Sequence, residues 1–287
     1  MTQSIPYWHV DAFSAKPFGG NQAAVMVLDE WLPDDVLVSI GAENLFAETA
    51  FVVRDSMGKA DWELRWCTPT YEIALCGHAT LAAAKAIWAT RRSSASALRF
   101  QTKSGELVVS ASSDGWLHMD FPAEPASALA QGAGLDPQRT ATELAAALSL
   151  PEAGVLFLGQ NRMDLLVHVT NDAFEQLQKN DAAVAAFAVR GVIVTAEASS
   201  RVPQDAGPVD FVSRFFGPRF GISEDPVTGS AHCALAPYWA AKLGKDRLVA
   251  WQASDRGGLL RLENRPADGR VTISGQATVV MEGRLGD

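Results

Sequence analysis

A carboxylate set among apolar side chains can carry protons, and Glu48 has such a setting in Glu43-Asn44-Leu45-Phe46-Ala47-Glu48-Thr49-Ala50-Phe51. Partial loss of water around it would make it a better base. The same stretch also fits a solvent-facing glutamate at the start of a strand, and the segment alone favours that second reading. His78, after Gly77, and Asp225, in Ser223-Glu224-Asp225-Pro226-Val227-Thr228-Gly229-Ser230, are further candidates. Each has an ordinary reading: His78 as a residue of a helix start, Asp225 as turn chemistry ahead of a proline. If the two segments share a cleft, an imidazole, a carboxylate and the Ser230 hydroxyl converge there. That set suits proton transfer better than packing.

The segments that would deliver these groups are unusual in being small and apolar on every side: residues 78–88 and 230–243. Helices of that kind are buried, and alanine-rich surfaces let sheet backbone approach closely. Each is therefore expected to run through a sheet that curls around it, with Pro237 bending the second. Gly77 and Gly229 open the two helices, 152 positions apart, about half the chain. The spacing suggests two similar halves. A helix start leaves up to four N–H groups without intrahelical partners and a partial positive charge, so two of them facing one cleft would clamp an anion. The alternative is that these glycines only let the chain turn sharply.

The elements around them read as mostly antiparallel sheet. Alternating runs include Trp62-Leu64-Trp66, Leu107-Val109, Leu117-Met119-Phe121, Leu165-Val167-Val169, Val271-Ile273 and Val279-Met281. Amphipathic surface helices are expected near 33–41, 140–148 and 172–178. Pro122-Ala123-Glu124-Pro125, continuing through an Ala/Gly/Ser-rich run to Gly134, is the linker candidate.

At 287 residues and 48% hydrophobic content the chain can fill two cores, and a net charge of −9 with scattered basic residues argues against nucleic acid or an anionic membrane as partner. A small anionic metabolite remains compatible with a local positive site. No run of roughly 20 apolar residues and no signal-like start is present, so a cytoplasmic location is the expectation. Cys67, Cys76 and Cys233 lack CxxC spacing and read as free, structural thiols, with Cys76 and His78 pointing different ways. His232 and Cys233 read as core. His9, His118 and His168 are isolated on strand-like runs, and neither a metal-ligand pattern nor a phosphate loop or GxGxxG fingerprint is found, so no metal or cofactor is expected.

Five ordered motifs carry a resemblance to a known family: 11–21 (Asp-Ala-Phe-Ser-Ala-Lys-Pro-Phe-Gly-Gly-Asn), 44–51, Arg65 to Pro69 with Leu75 to Thr80, 221–231, and Gln252 to Gly258 with Ile273 to Gln276. In these stretches the chain resembles the PhzF-like (phenazine-biosynthesis-like) proteins, which share the diaminopimelate-epimerase fold. The resemblance implies an α+β protein of two pseudo-symmetric domains, each a curled, mostly antiparallel sheet or barrel around a central helix. The expected lobes are 1–121 plus a C-terminal strand at 277–287, and 126–276. It further implies a homodimer with the site between the lobes, Glu48 as acid/base, His78, Asp225 and Ser230 at substrate-site positions, and Gly77 and Gly229 with amides turned to the ligand. Phe46-Ala47, Cys67, Tyr71 and Ala74 depart from the usual pattern, so the substrate is not carried over. The function expected is a cofactor-independent isomerase acting on a small carboxylate-bearing metabolite. A cofactor-independent racemase or epimerase, or a non-catalytic ligand-binding protein of the same fold, are the alternatives.

Overall fold

Strict alternation in Trp62-Glu-Leu-Arg-Trp-Cys67 buries Trp62, Leu64 and Trp66 on one face of a strand, and the same logic builds the sheets throughout the protein. The computed structural model describes residues 4–130 and 136–286. The chain forms two units, Met1–Asp120 with Ser274–Asp287, and Phe121–Ile273. Residues 131–134 of the expected linker lie outside the described residues. Its first part is bonded into the second unit, where the Ala123 and Glu124 N–H groups donate to the carbonyls of Gly269 and Cys233.

The first unit contains β1 (Ile5–Ala12), β2 (Asn21–Leu28), α1 (Asp34–Asn44), β3 (Glu48–Arg54), β4 (Trp62–Cys67), β5 (Glu72–Ile73), α2 (Gly77–Ala89), β6 (Ala97–Thr102), β7 (Gly105–Ala111) and most of β8 (Leu117–Pro122). The second contains β9 (Ser127–Ala128), α3 (Pro137–Ala147), β10 (Val155–Gln160), β11 (Asp164–Val169), α4 (Asn171–Gln176), α5 (Asp181–Ala185), β12 (Gly191–Ala196), β13 (Phe211–Gly217), β14 (Ile222–Asp225), α6 (Gly229–Leu243), β15 (Arg247–Gln252), β16 (Gly258–Arg265) and most of β17 (Arg270–Gly275). The last strand, β18 (Ala277–Leu285), returns to the first unit and pairs antiparallel with β1.

Most pairings are antiparallel, as the alternation suggests, but each unit also has two parallel ones, β2–β3 and β4–β6 in the first, β11–β12 and β13–β15 in the second. Parallel neighbours need a long crossover, and here the helices supply it. The chain passes through α1 and α2 in the first unit, and through α4 with α5 and then α6 in the second. The order of pairings is the same in both units. Even the ion pairs repeat: Arg65 on β4 forks onto Glu72 of β5, and Arg214 on β13 forks onto Glu224 of β14. Each fork ties down the short strand that leads into a buried helix.

Those two helices are apolar all round, as read from sequence. In α2 every residue from His78 to Ala84 is buried, and the helix packs on β1, β2, β3, β7 and β18. In α6, Trp239 stacks on Phe211 of β13, meets His168 of β11 edge-on and donates to the Thr195 hydroxyl of β12. Pro237 sits inside α6 and cannot donate to the carbonyl of residue 233. The Glu124 N–H takes that acceptor at 2.9 Å, so the proline costs the helix a bond without leaving a buried carbonyl unsatisfied. The Cys67 thiol is pushed up to about 11 and Cys233 to about 12, burial being the first cause of each. Both are expected to resist a thiol-specific reagent near pH 8 in the native protein and to react at once after denaturation; prompt native labelling of either would contradict their burial.

Candidate active site

Glu48 is the first residue of β3, paired in parallel with Ala23 of β2. Its neighbour Thr49 accepts a hydrogen bond from Asn44 at the end of α1, so strand alternation turns Glu48 to the opposite face, toward α2. There it is buried, with its Oε2 3.3 Å from His78 Nε2. On the other side of the ring, Asn21 Nδ2 approaches Nδ1 at 3.2 Å and Cys76 Sγ approaches it at 3.5 Å. Asn21 opens β2 and His78 is the second residue of α2, so the start of a parallel strand pair and the start of a buried helix bring this group together.

The contact between Cys76 and His78 corrects the expectation that the two diverge. Cys76 caps the helix in an extended conformation while His78 is already helical, and the change in backbone direction between them turns both side chains to the same side. The structure leaves His232 and Cys233 in the core, as expected, with the His232 ring on the Thr228 carbonyl.

The second unit groups Asp225, Gly229 and Ser230. Asp225 ends β14 and accepts a hydrogen bond of 2.5 Å from the Thr228 hydroxyl; Thr228 is the residue before Gly229, where α6 begins. Ser230 is half-buried on the first turn. Thr228 and Gln252 belong to this arrangement and carried no role in the sequence reading. A buried glutamine amide has no motif of its own, and only the fold shows what it meets.

Helix caps separate α2 and α6 from the surface helices of the second unit. Helices α3, α4 and α5 have side-chain caps from Asp136, Thr170 and Asn180. Neither α2 nor α6 has one. Uncapped first-turn N–H groups keep their affinity for an acceptor, and the helix dipole favours a negative one. Glu48, Cys76 and His78 offer one O, S and N donor within 4.8 Å of one another. The shortest contacts fall on opposite ring nitrogens, the carboxylate on Nε2 and the thiol on Nδ1. That arrangement can pass a proton through the ring.

Burial pushes the His78 imidazole down to about 4, opposed by a hydrogen bond to the Gln22 backbone. His168 and His232 are likewise pushed to about 4, by burial first. A folded-state value below the ordinary 6.5 means that these rings add stability above pH 6.5 and that this stability is lost as pH falls from 6.5 toward 4. Imidazole proton resonances of His78, His168 and His232 are therefore expected to stay at neutral-form positions from about pH 8 to 5.5. A His78 resonance titrating near 6.5 would contradict the buried, neutral ring.

Fold and site together define a duplicated α+β protein in which each unit turns an uncapped, glycine-opened helix start next to acid and hydroxyl or imidazole groups. The phenazine biosynthesis-like family model matches residues 10–283, and the chain belongs to that family. A Pseudomonas aeruginosa protein named as an uncharacterized isomerase is 44% identical over 283 residues, covering 98% of each chain. The crystal structure of an Enterococcus faecalis phenazine biosynthesis protein of the PhzF family superposes with a TM-score of 0.86 at 37% identity, over 99% of this chain and 100% of that one. At 10% identity, a hydroxyproline epimerase of Agrobacterium vitis shares the fold with a TM-score of 0.58, over 99% of this chain and 93% of that one.

Proposed function

We propose that this protein is a cofactor-independent isomerase that moves a proton within a small carboxylate-bearing metabolite, with Glu48 as the base. The observation that carries the reading is a buried carboxylate 3.3 Å from a neutral, buried imidazole at an uncapped helix start. In the proposed complex the amides at Gly77-His78 and Gly229-Ser230 hold the ligand carboxylate, or the oxygen that becomes anionic. Glu48 takes a proton from an activated carbon, the electron pair delocalises toward that oxygen, and the proton returns to a different carbon of the same skeleton. Fixed dipoles aimed at the developing charge are the largest catalytic contribution, and each such donor is worth on the order of 10²–10³-fold in rate. His78 and Asp225 orient the substrate and relay protons.

The duplication supports one base rather than two. Glu48 opens the second strand of its parallel pair; the corresponding opening residue of β12 is Gly191, where a Cβ would meet the Phe215 ring at 2.2 Å. Racemisation by paired thiols is disfavoured too, because Thr228 stands where Cys76 does and its hydroxyl already donates to Asp225. The family naming of relatives as isomerases agrees with the reading, and the family resemblance also underlies a proposed homodimer.

The test is a screen of small hydroxy, amino and unsaturated carboxylates incubated with the protein in D2O. Deuterium should enter at carbon, in at least one compound, together with a shifted double bond or proton. Exchange confined to an amino-acid α-carbon and lost on Cys76→Ser would replace isomerisation by racemisation. Tight binding without exchange in any compound would make the protein a binder.

A further inference from the structure

Gln252 is the last residue of β15 and has no accessible surface. A buried amide must find partners for both its ends, and this one spends them all on a single short segment. Its Oε1 accepts the Thr228 backbone N–H at 2.8 Å, and its Nε2 donates to the Asp225 carbonyl at 2.7 Å and to the Thr228 hydroxyl at 3.2 Å. That hydroxyl has one proton, donated in turn to Asp225 Oδ2 at 2.5 Å. The direction of the chain is thereby fixed: glutamine amide to threonine hydroxyl to carboxylate. Two residues on, Ser254 donates to the Pro226 carbonyl and accepts the Gly257 N–H, fastening the remaining part of the same turn.

The Thr228 side chain, which at an ordinary helix start would accept a first-turn N–H, is committed to Asp225, and α6 has no side-chain cap. We infer that Gln252 is a positioning residue, which acts through Thr228 to fix both the Asp225 carboxylate and the direction in which the uncapped Gly229 and Ser230 amides point. The inference rests on the anion-holding role proposed above for those amides. Its substitution should damage ligand binding at α6 and displace the free-protein Gly229 and Ser230 amides, leaving those of Gly77 and His78 in place.

Two variants probe it. Gln252→Met keeps length and bulk but removes all three hydrogen bonds; Thr228→Val is nearly isosteric, removes only the hydroxyl link, and covers the case in which the buried methionine prevents folding. Sodium malonate is titrated into 15N-labelled protein and the amide shifts at both helix starts are followed. Expected in the wild type are saturable shifts at Gly77, His78, Gly229 and Ser230. In the variants the response at Gly229 and Ser230 should need at least about tenfold more malonate, the weight of one or two hydrogen bonds, with the free-protein positions of those amides displaced. The free-protein positions of the Gly77 and His78 amides should stay as in the wild type. Wild-type affinity at Gly229 and Ser230 in both variants would overturn the positioning role. A wild type silent at both helix starts would instead remove the anion-holding reading, and this inference with it.

Discussion

Glu48→Gln is expected to lower the rate of proton exchange by about 10²–10⁴-fold on any compound that the wild-type protein labels with deuterium, with the fold and ligand affinity retained. The substitution preserves the shape of the side chain that faces His78 Nε2, and removes its charge and its ability to take a proton. The loss should therefore fall on kcat rather than KM. The readout is deuterium wash-in by mass spectrometry, with malonate binding as the control for an intact site. Undiminished exchange would transfer the base to another residue, with His78 the first to examine. A drop in binding equal to the drop in exchange would make Glu48 a ligand contact.

Arg190→Met should produce the largest loss of stability. Asp164 opens β11 with no accessible surface, and Arg190, just ahead of β12, forks onto it with Nε donating to Oδ1 at 2.9 Å and Nη2 donating to Oδ2. Removing one partner of a buried pair leaves a charge without its counterion, at a cost of about 3–5 kcal/mol. For a protein of this size that lowers Tm by on the order of 10 °C. The pH dependence has a defined sign. Burial raises the Asp164 pKa and the Arg190 hydrogen bond opposes it, so taking the arginine away raises it further. A raised folded-state value means stability is lost as pH rises through it. The deficit relative to wild type should therefore be larger at pH 7 than at pH 4, by chemical denaturation at both. A loss under about 1 kcal/mol that is flat with pH would show that water already compensates Asp164.

The architecture was legible where physical periodicity is strong. Helices without a polar face announced α2 and α6 to within a residue of their ends, and the alternation at Trp62-Leu64-Trp66 and Leu165-Val167-Val169 announced β4 and β11. Parallel pairing was not legible, because a strand's own pattern does not say which way its neighbour runs; that is decided by α1 and the other crossovers. The bulk of the site's chemistry divided the same way. Glu48 and His78 stand 30 positions apart and carry no local signal of their contact, which the β2–β3 register and the start of α2 create jointly. Only the family resemblance brought Glu48 forward. Asn21 and Gln252 lay inside motifs of that resemblance, yet their roles depend on which buried atoms they face, and a sequence does not print that. The Cys76–His78 contact is hidden from the sequence for a related reason: spacing treats both residues as helical, while Cys76 is extended.

A crystal of the protein grown or soaked with sodium malonate tests the central claim most directly. Malonate is expected with a carboxylate at about 3 Å from the Gly77-His78 amides and with the Glu48 carboxyl group alongside its central carbon. Malonate seated away from the Gly77-His78 amides, or Glu48 turned to solvent, would contradict that claim.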